Sequence, residues 1–442
     1  MRDLNVDQST EEKQQVFAKQ FGQSLATKIA MIFLRLVRNA ILARALGPAD
    51  RGLFSLITSL PELIMSAGNA GISNAAAYQT AKNSSGFRGI LGNTNLLMLF
   101  ISIVLVLASF YLVQQPWLVN DQADAIANFS YFIAFAIPLM LLKAVNINLL
   151  NVLHRISQVN LTSLLESLSP LLLFLVLWWG FSLDPLIAAT WAWFSSLLIL
   201  AILTLVQLKQ GFPIRWNRST QKALLSYGYR GHFDTLFQKL LLRIDFLFVS
   251  SYIGTEALGY YAMATAAAEL LLTIPNSLSV PLFSFFMRKG SGDKDNVTPL
   301  VLRVMTSVMV LSALLFAVTG KLLIWVLFGE AYLPGYEPLL LLLPGIVFLS
   351  YCSLVRLDLL GRNKPGAVSL ISGLAVLINI LLNLLLVSDY GVAGVAVSSS
   401  FAYLIAALGL HGVHRKLTRL TLRETLILRS EDISLLLTFV KR

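Results

Sequence analysis

The sequence predicts an all-α integral membrane protein with twelve transmembrane helices, in two six-helix bundles related by a pseudo-two-fold axis along the membrane normal. Three observations predict this fold class: the composition, a series of twelve apolar stretches, and an internal repeat. Of the 442 residues, 56% are hydrophobic and 13% are charged, whereas a soluble domain has about 25% charged residues. The mean hydropathy of +0.73 agrees with a membrane-embedded chain.

Twelve stretches are long and apolar enough to be spans, because a membrane-spanning helix needs ~20 mostly apolar residues. The first and the seventh of them are the richest in charge. In chain order the predicted spans are 20–46, 52–80, 88–114, 126–152, 158–181, 184–208, 224–252, 257–286, 298–328, 336–360, 366–388 and 391–414.

The basic residues predict the orientation of these spans. Lys and Arg concentrate in alternate connections, and only the first connection, with Arg44 and Arg51, departs from the alternation. The connections without either residue are 115–125, 182–184, 253–256, 329–335 and 389–390. By the positive-inside rule, both termini are expected to be cytoplasmic. The net charge of +11 therefore reflects topology, and nucleic acid is not expected as a partner.

An internal repeat relates the two halves at a single offset of 207 residues. Six spans per half give both repeats the same orientation, as in one class of transporters. The matched pairs are Gly47 and Gly254, Gly52 and Gly259, Thr58 and Thr265, Glu62 and Glu269, Asn69 and Asn276, and Arg155 and Arg362.

The longest basic connection, between spans six and seven, predicts the seam between the two halves. The tail alternates basic residues with leucine and is expected to lie on the inner leaflet. The predicted organisation is a cytoplasmic N-terminal tail (1–19), an N-terminal six-helix bundle (20–208), a cytoplasmic linker (209–223), a C-terminal six-helix bundle (224–414) and a basic cytoplasmic tail (415–442).

Spans one and seven carry basic residues in their middles. Lys28, Arg35 and Arg38 lie close to one helical face, and Lys239 and Arg243 are one turn apart. Charged groups inside a membrane line a polar cavity or pair with one another. Because the two spans are equivalent in the repeat, both are expected to face the seam.

The mid-span cations outnumber the acids that could neutralise them. The basic residues are Lys28, Arg35, Arg38, Lys143, Lys239, Arg243 and Arg303, and the acidic residues are Glu62, Glu166, Asp245 and Glu269. A cationic cavity favours an anionic ligand, and Arg and Lys bind phosphate oxygens by charge-assisted hydrogen bonds. The predicted ligand is therefore a phosphate-bearing molecule.

Purely structural alternatives stay open for several of these charges. Arg243 and Asp245 could form one buried ion pair, and Arg230 and Asp234 could pair across one helical turn. Lys28 could extend to the cytoplasmic surface.

Two repeat-equivalent acids, Glu62 and Glu269, have two open roles. They could serve proton coupling or sugar contacts, or they could be helix-packing groups bonded to neighbouring side chains.

No metal site, cofactor or enzymatic activity is predicted. His411 and His414 are three residues apart, but no third ligand is near them in the sequence. The sequence contains no GxxxxGK[ST], HExxH or GxSxG motif.

Two segments resemble Wzx-type polysaccharide flippases, which belong to the multidrug/oligosaccharidyl-lipid/polysaccharide flippase superfamily. The first is "ARALGPADRGLFSLITSLPELIMSAGNAGISNAAAYQTAK". The second, 359–405, has a G-R turn, an Asn-containing span, a Y-G-x-x-G turn and a small-residue helix. The resemblance extends over nearly the whole chain through the order and spacing of these features.

This resemblance implies a bacterial inner-membrane transporter of undecaprenyl-diphosphate-linked oligosaccharide repeat units for O-antigen (lipopolysaccharide), capsule or exopolysaccharide synthesis. Such a protein works by alternating access, beside membrane lipids and with a polysaccharide polymerase and a chain-length regulator as possible partners. From position and charge, we predict that Arg35, Arg38, Lys239, Arg243 and Lys28 bind the diphosphate. Glu62, Glu269 and Asp245 are predicted to serve coupling or sugar contacts.

Two other functions stay open. A cation-coupled multidrug extruder of the same superfamily is disfavoured by a first span dense in Arg and Lys. A non-transporting membrane scaffold for polysaccharide assembly would bind the lipid without moving it. Flippases of the lipid-linked peptidoglycan precursor commonly have two spans more than the twelve counted here.

Overall fold

The computed structural model describes residues 3–82, 86–115, 118, 123–209, 216–277, 294–429 and 431–432, and contains no strand within them. A π-helical turn covers Val176–Gly180, and a 3-10 helix covers Glu330–Gly335. The principal helices are α1 (Asp3–Gly68), α2 (Ile72–Lys82), α3 (Phe87–Val113), α4 (Ala123–Asn128), α5 (Ser130–Val152), α6 (Ile156–Leu175), α7 (Pro185–Gln207), α8 (Arg218–Tyr252), α9 (Thr255–Leu270), α10 (Lys294–Phe328), α11 (Tyr336–Gly361), α12 (Pro365–Thr418) and α13 (Leu422–Leu426).

Seven helices within the described residues are long and apolar enough to cross a membrane. The 54 residues of α12 would extend about 80 Å as one helix, against ~30 Å for the hydrocarbon core of a bilayer. Gly391, with φ 54° and ψ −135°, interrupts α12 and divides it into two membrane-length segments. The chain is therefore an all-helical, multi-pass membrane protein.

Local sequence explains where α7 begins. Asp184 caps α7 because its carboxylate accepts hydrogen bonds from the backbone N–H of Leu186 (3.0 Å) and Ile187 (3.2 Å). Pro185 follows at the first helical position, where its missing N–H costs nothing.

The chain forms two compact units. The first contains 1–46, 60–114 and 127–232, and the second contains 47–59, 115–126 and 233–442. Apolar side chains of α2, α3 and α5 build the core of the first unit, including Ile72, Leu91 and Ile137. The core of the second unit is built mainly from α11 and α12, including Val355, Leu359, Val368 and Ala402.

The repeat is visible in backbone conformation. Gly47 has φ 71° and ψ 174°, and its partner at the 207-residue offset, Gly254, has φ 120° and ψ 175°. A positive φ of this kind is accessible to glycine and strained for other residues. Each glycine therefore ends one helix and begins the next with the same turn.

A second equivalent pair of glycines allows a close backbone approach within the second unit. A Cβ added to Gly52 would lie 1.8 Å from the Thr255 carbonyl oxygen, and one added to Gly259 would lie 2.0 Å from the Pro48 carbonyl oxygen. Pro48 and Thr255 are themselves 207 residues apart. The two contacts are thus equivalent under the repeat, as a local pseudo-two-fold axis between two helix starts would produce.

The structure modifies some predicted boundaries. The predicted span 52–80 is interrupted after Gly68, because Ala70 (φ 47°) and Gly71 (φ 68°) are both left-handed. The backbone of α1 is helical from Asp3, inside the predicted tail, and α8 begins at Arg218, inside the predicted linker. Residues 210–215 of that linker lie outside the described residues.

Candidate functional site

The three basic residues predicted on the first span lie on α1, in the first unit. Lys28 and Arg35 are exposed, and Arg38 is partly buried. Within the described part of the chain, none of these three side chains forms an ion pair with a carboxylate. Arg35 and Arg38 are three residues apart, so they project from neighbouring positions of one face.

Glu166, a further charged residue of the first unit, lies near Arg38 and is paired with Lys143. Lys143 on α5 donates to Glu166 on α6 with an Nζ–Oε1 distance of 2.7 Å, and the Lys143 side chain is only 13% exposed. Arg38 is close enough to Arg35 and Glu166 for electrostatic interaction with both. We call Arg35, Arg38, Lys143 and Glu166 the charged cluster of the first unit.

The seventh predicted span, α8, has a different environment in the second unit. Arg243 donates two hydrogen bonds to Glu269 on α9, at 2.6 and 3.2 Å. The same guanidinium lies 5.5 Å from the ring centroid of Phe246, at cation–π distance. The structure therefore pairs two predicted site residues with each other.

Asp245 takes no part in that ion pair. Its carboxylate is buried and accepts hydrogen bonds from Tyr261 (2.8 Å), Asn383 (3.0 Å) and Ser399. Asn383 also donates to Asn379, at 3.2 Å. The predicted Arg243–Asp245 alternative is wrong, because Glu269 supplies the carboxylate and neutral groups surround Asp245.

The partners of Asp245 were missed from the sequence. They come from α9 and α12, up to 154 residues away along the chain, and only tertiary packing brings them to α8. The polar residues inside the apolar eleventh and twelfth spans were the available signal.

Asp234 also has a partner that differs from the predicted one. Its carboxylate accepts hydrogen bonds from the Arg356 guanidinium on α11, at 2.7 and 3.0 Å. The Arg230 side chain, the predicted partner, lies outside the described residues.

The predicted excess of cations is smaller in the structure. Arg303 on α10 makes two 2.6 Å hydrogen bonds to Asp432 in the C-terminal tail. Lys143 and Arg243 have Glu166 and Glu269. Asp432 was not counted from the sequence because it lies beyond the last predicted span.

The remaining predicted residues divide between the units. Glu62 is partly buried in the first unit, and Lys239 is partly buried in the second. Each has an interaction partner.

The two histidines of the last span have hydrogen-bonding partners. His414 Nε2 lies 2.8 Å from Asp358 Oδ2, and His411 Nδ1 lies 2.7 Å from the Tyr351 hydroxyl. A search of the described residues finds no group of three or more His, Cys, Asp or Glu placed to hold a metal ion.

Sequence comparison identifies one matching family. A family model described as polysaccharide biosynthesis protein matches residues 17–287, which is more than half of the chain. No curated protein sequence matches the chain significantly.

Solved membrane transporters share the fold at low sequence identity. The lipid II flippase MurJ in an inward closed conformation has 15% identity and a TM-score of 0.76, over 88% of this chain and 87% of that chain. An inward-facing multidrug resistance MATE family transporter of the MOP superfamily has 11% identity and a TM-score of 0.68, over 91% and 94%.

A MOP superfamily transporter from Pyrococcus furiosus is a third structural match. It has 12% identity and a TM-score of 0.59, over 91% of this chain and 97% of that chain, and it is described as having a binding pocket of reverse polarity. At these identities the matches establish the fold.

Proposed function

We propose that this chain, which belongs to the polysaccharide biosynthesis protein family, is a flippase for undecaprenyl-diphosphate-linked oligosaccharide repeat units. It moves them from the cytoplasmic to the periplasmic leaflet by alternating access, for O-antigen, capsule or exopolysaccharide synthesis. The family match and the fold of MOP superfamily transporters support a transported lipid-linked substrate.

The observation that carries this proposal is that two arginines on α1 have no carboxylate partner among the described residues. Arg35 and Arg38 lie within the predicted first span, 20–46, and neither forms an ion pair within the described residues. An unpaired cation at membrane depth costs ~2.5–3.5 kcal/mol on insertion scales. A site that keeps two such groups is suited to an anion, and a cationic drug would be repelled there.

The diphosphate is the part of the substrate that these side chains recognise. Arginine presents a planar fork of donors that matches the oxygens of a phosphate. Charge-assisted hydrogen bonds of this kind are about twice as strong as neutral ones. Arg35 and Arg38 are the primary ligands, and Lys28, Lys239 and Arg243 are secondary ligands.

Both terminal nitrogens of Arg243 donate hydrogen bonds to Glu269. Arg243 can therefore bind the diphosphate only if these hydrogen bonds break or are shared with a phosphate oxygen. Asp245, Glu62 and Glu269 are proposed for coupling or sugar contacts. An inside-negative potential also favours outward movement of the anionic headgroup, by ~2.3 kcal/mol per charge per 100 mV.

The proposed topology has twelve spans in two six-helix bundles, 20–208 and 224–414, with both termini in the cytoplasm of a bacterium and the spans in its inner membrane. A polysaccharide polymerase and a chain-length regulator are proposed partners. The alternation of basic connections supports the orientation.

The direct test is transport by the purified chain in proteoliposomes. The substrate is a fluorescent short-chain undecaprenyl-diphosphate oligosaccharide, and protection from an externally added reductant reports its movement. Protein-free liposomes provide the background. Parallel samples contain lipid II or a cationic dye.

Each outcome selects one function. Movement of the oligosaccharide lipid supports the proposal, and movement of lipid II alone would reassign the headgroup. Extrusion of the dye alone would establish a multidrug transporter. Binding of the lipid without movement would identify a scaffold.

A further inference from the structure

The ion pair between Lys143 and Glu166 has features of a binding site. It joins α5 to α6 inside the first unit, and its Glu166 lies within electrostatic range of Arg38, which is itself close to Arg35. The Lys143 ammonium is largely enclosed, whereas the Glu166 side chain is 36% exposed. The pair therefore has one largely enclosed member and one partly exposed member.

The charge of the whole cluster matches a particular ligand. Arg35, Arg38 and Lys143 carry three positive charges and Glu166 carries one negative charge, so the cluster has a net charge of +2. A diphosphate that links a lipid to a sugar has one ionised oxygen on each phosphate. The charges would balance with Glu166 still ionised.

We infer that Lys143 is a third ligand for the lipid diphosphate and that Glu166 holds it in place while the site is empty. The inference rests on the proposed function and extends its binding site to α5 and α6. When the headgroup binds, a phosphate oxygen takes the position at Lys143 that the Glu166 carboxylate occupies.

The chemistry of the two side chains suits this exchange. A lysine ammonium is a compact charge on a flexible stem with three donors, so it can turn from one acceptor to another. Left without a partner at membrane depth it would be costly, and Glu166 removes that cost in the empty site. The arginines of α1 supply the fixed donors, and Lys143 supplies an adjustable one.

A structural ion pair would behave differently from an exchanging one. Removing either partner of a purely structural pair destabilises the fold and leaves ligand affinity unchanged. In an exchanging pair the two single substitutions have opposite effects on affinity. Loss of Lys143 removes a ligand, whereas loss of the Glu166 charge removes a competitor.

The experiment measures binding of a fluorescent short-chain prenyl-diphosphate-linked sugar, which has one ionised oxygen on each phosphate, to the detergent-purified full chain. A prenyl-monophosphate-linked sugar and uncharged prenol are the comparison probes. The variants are Lys143→Met, Lys143→Arg and Glu166→Gln, and each is checked by its thermal unfolding temperature. Arg303→Met is the matched control, because it breaks a carboxylate pair in the second unit.

We expect Lys143→Met to weaken diphosphate binding at least tenfold and to reduce the preference for diphosphate over monophosphate. Lys143→Arg should keep most of the affinity, and Glu166→Gln should bind at least as tightly as wild type. If Lys143→Met does not fold, the Lys143→Arg and Glu166→Gln affinities decide the matter.

Unchanged affinity in Lys143→Met, or weakened affinity in Glu166→Gln, would overturn the inference. If wild type binds the diphosphate through Arg35 and Arg38 while Lys143→Met is neutral, only this inference fails. If wild type does not prefer the diphosphate to prenol, the proposed function fails as well.

Discussion

Helices α1 and α8 occupy equivalent places in the repeat, yet their basic residues have different partners. On α1, Arg35 and Arg38 form no ion pair within the described residues. On α8, Arg243 is held by both oxygens of Glu269. Basic residues of the two predicted spans therefore have no ion pair among the described residues in the first unit and a carboxylate partner in the second.

The difference arises from where the cations fall, because Arg243 corresponds to Leu36 at the 207-residue offset, so α1 has no arginine at the equivalent position. Glu269 lies on α9, directly after α8, and reaches Arg243. Its repeat equivalent, Glu62, lies in the first unit and has an interaction partner there or elsewhere in the chain. A charged residue in a span therefore indicates a binding function only after its partners are known. A cation that is paired with a carboxylate needs no anionic ligand to balance its charge.

The largest expected effect is on the transport rate, and it is expected from substitutions on α1 rather than on α8. The variant with Arg35→Ala and Arg38→Ala should lose more than tenfold in flipping rate, because each hydrogen bond from a charged group is worth ~1.5–3 kcal/mol. Its unfolding temperature should stay close to wild type, because no ion pair between described residues is broken. Reductant protection in proteoliposomes measures the rate.

The matched control is the variant with Arg303→Ala and Asp432→Ala, which removes a neutral ion pair of the second unit that lies outside the proposed site. Equal transport by wild type and the α1 variant would show that the open cations of α1 have no part in substrate movement. The comparison between the helices would then concern stability alone.

The next largest effect is on stability. Here we expect a substitution on α8 to matter more than the substitutions on α1. Arg243→Ala should lower the unfolding free energy, because Glu269 is left with an uncompensated charge. Breaking a fully buried pair costs ~3–5 kcal/mol, and this pair is 22% and 27% exposed, so the loss should be smaller. Thermal unfolding in detergent measures it.

Adding Glu269→Ala to that variant should restore part of the lost stability, because no unpaired charge then remains. A double variant no more stable than Arg243→Ala would show that the pair matters through packing, including the contact with Phe246.

The smallest expected effect involves another neutralised cation, Arg303. Its guanidinium holds the pKa of Asp432 below the ordinary value of 3.8. A carboxyl whose pKa is lowered by folding stabilises the folded state while it is ionised. This contribution should be present above pH 3.8 and be lost as the pH falls through the lowered pKa.

Unfolding temperatures of wild type and Asp432→Asn, measured at pH values above and below 3.8, test this. The difference between the two proteins should shrink at the lower pH. A difference independent of pH would mean that the Asp432 carboxylate does not contribute through its charge.

Much of the fold could be predicted because residue types and their spacing along the chain indicate it directly. Apolar stretches of membrane length gave the helical class, and the offset of 207 residues anticipated the matching backbone of Gly47 and Gly254. The break at Ala70 and Gly71 was not predicted, because apolar periodicity does not report φ.

The candidate site was predicted only as a list of charges. The sequence by itself determined that cations lie within spans, since residue type and hydropathy need no third dimension. Only the tertiary structure decided which of them have a carboxylate: Arg243 has Glu269, Arg303 has Asp432 and Lys143 has Glu166. Those partners lie 23 to 129 residues apart in the chain, and an ion pair depends on distance in space.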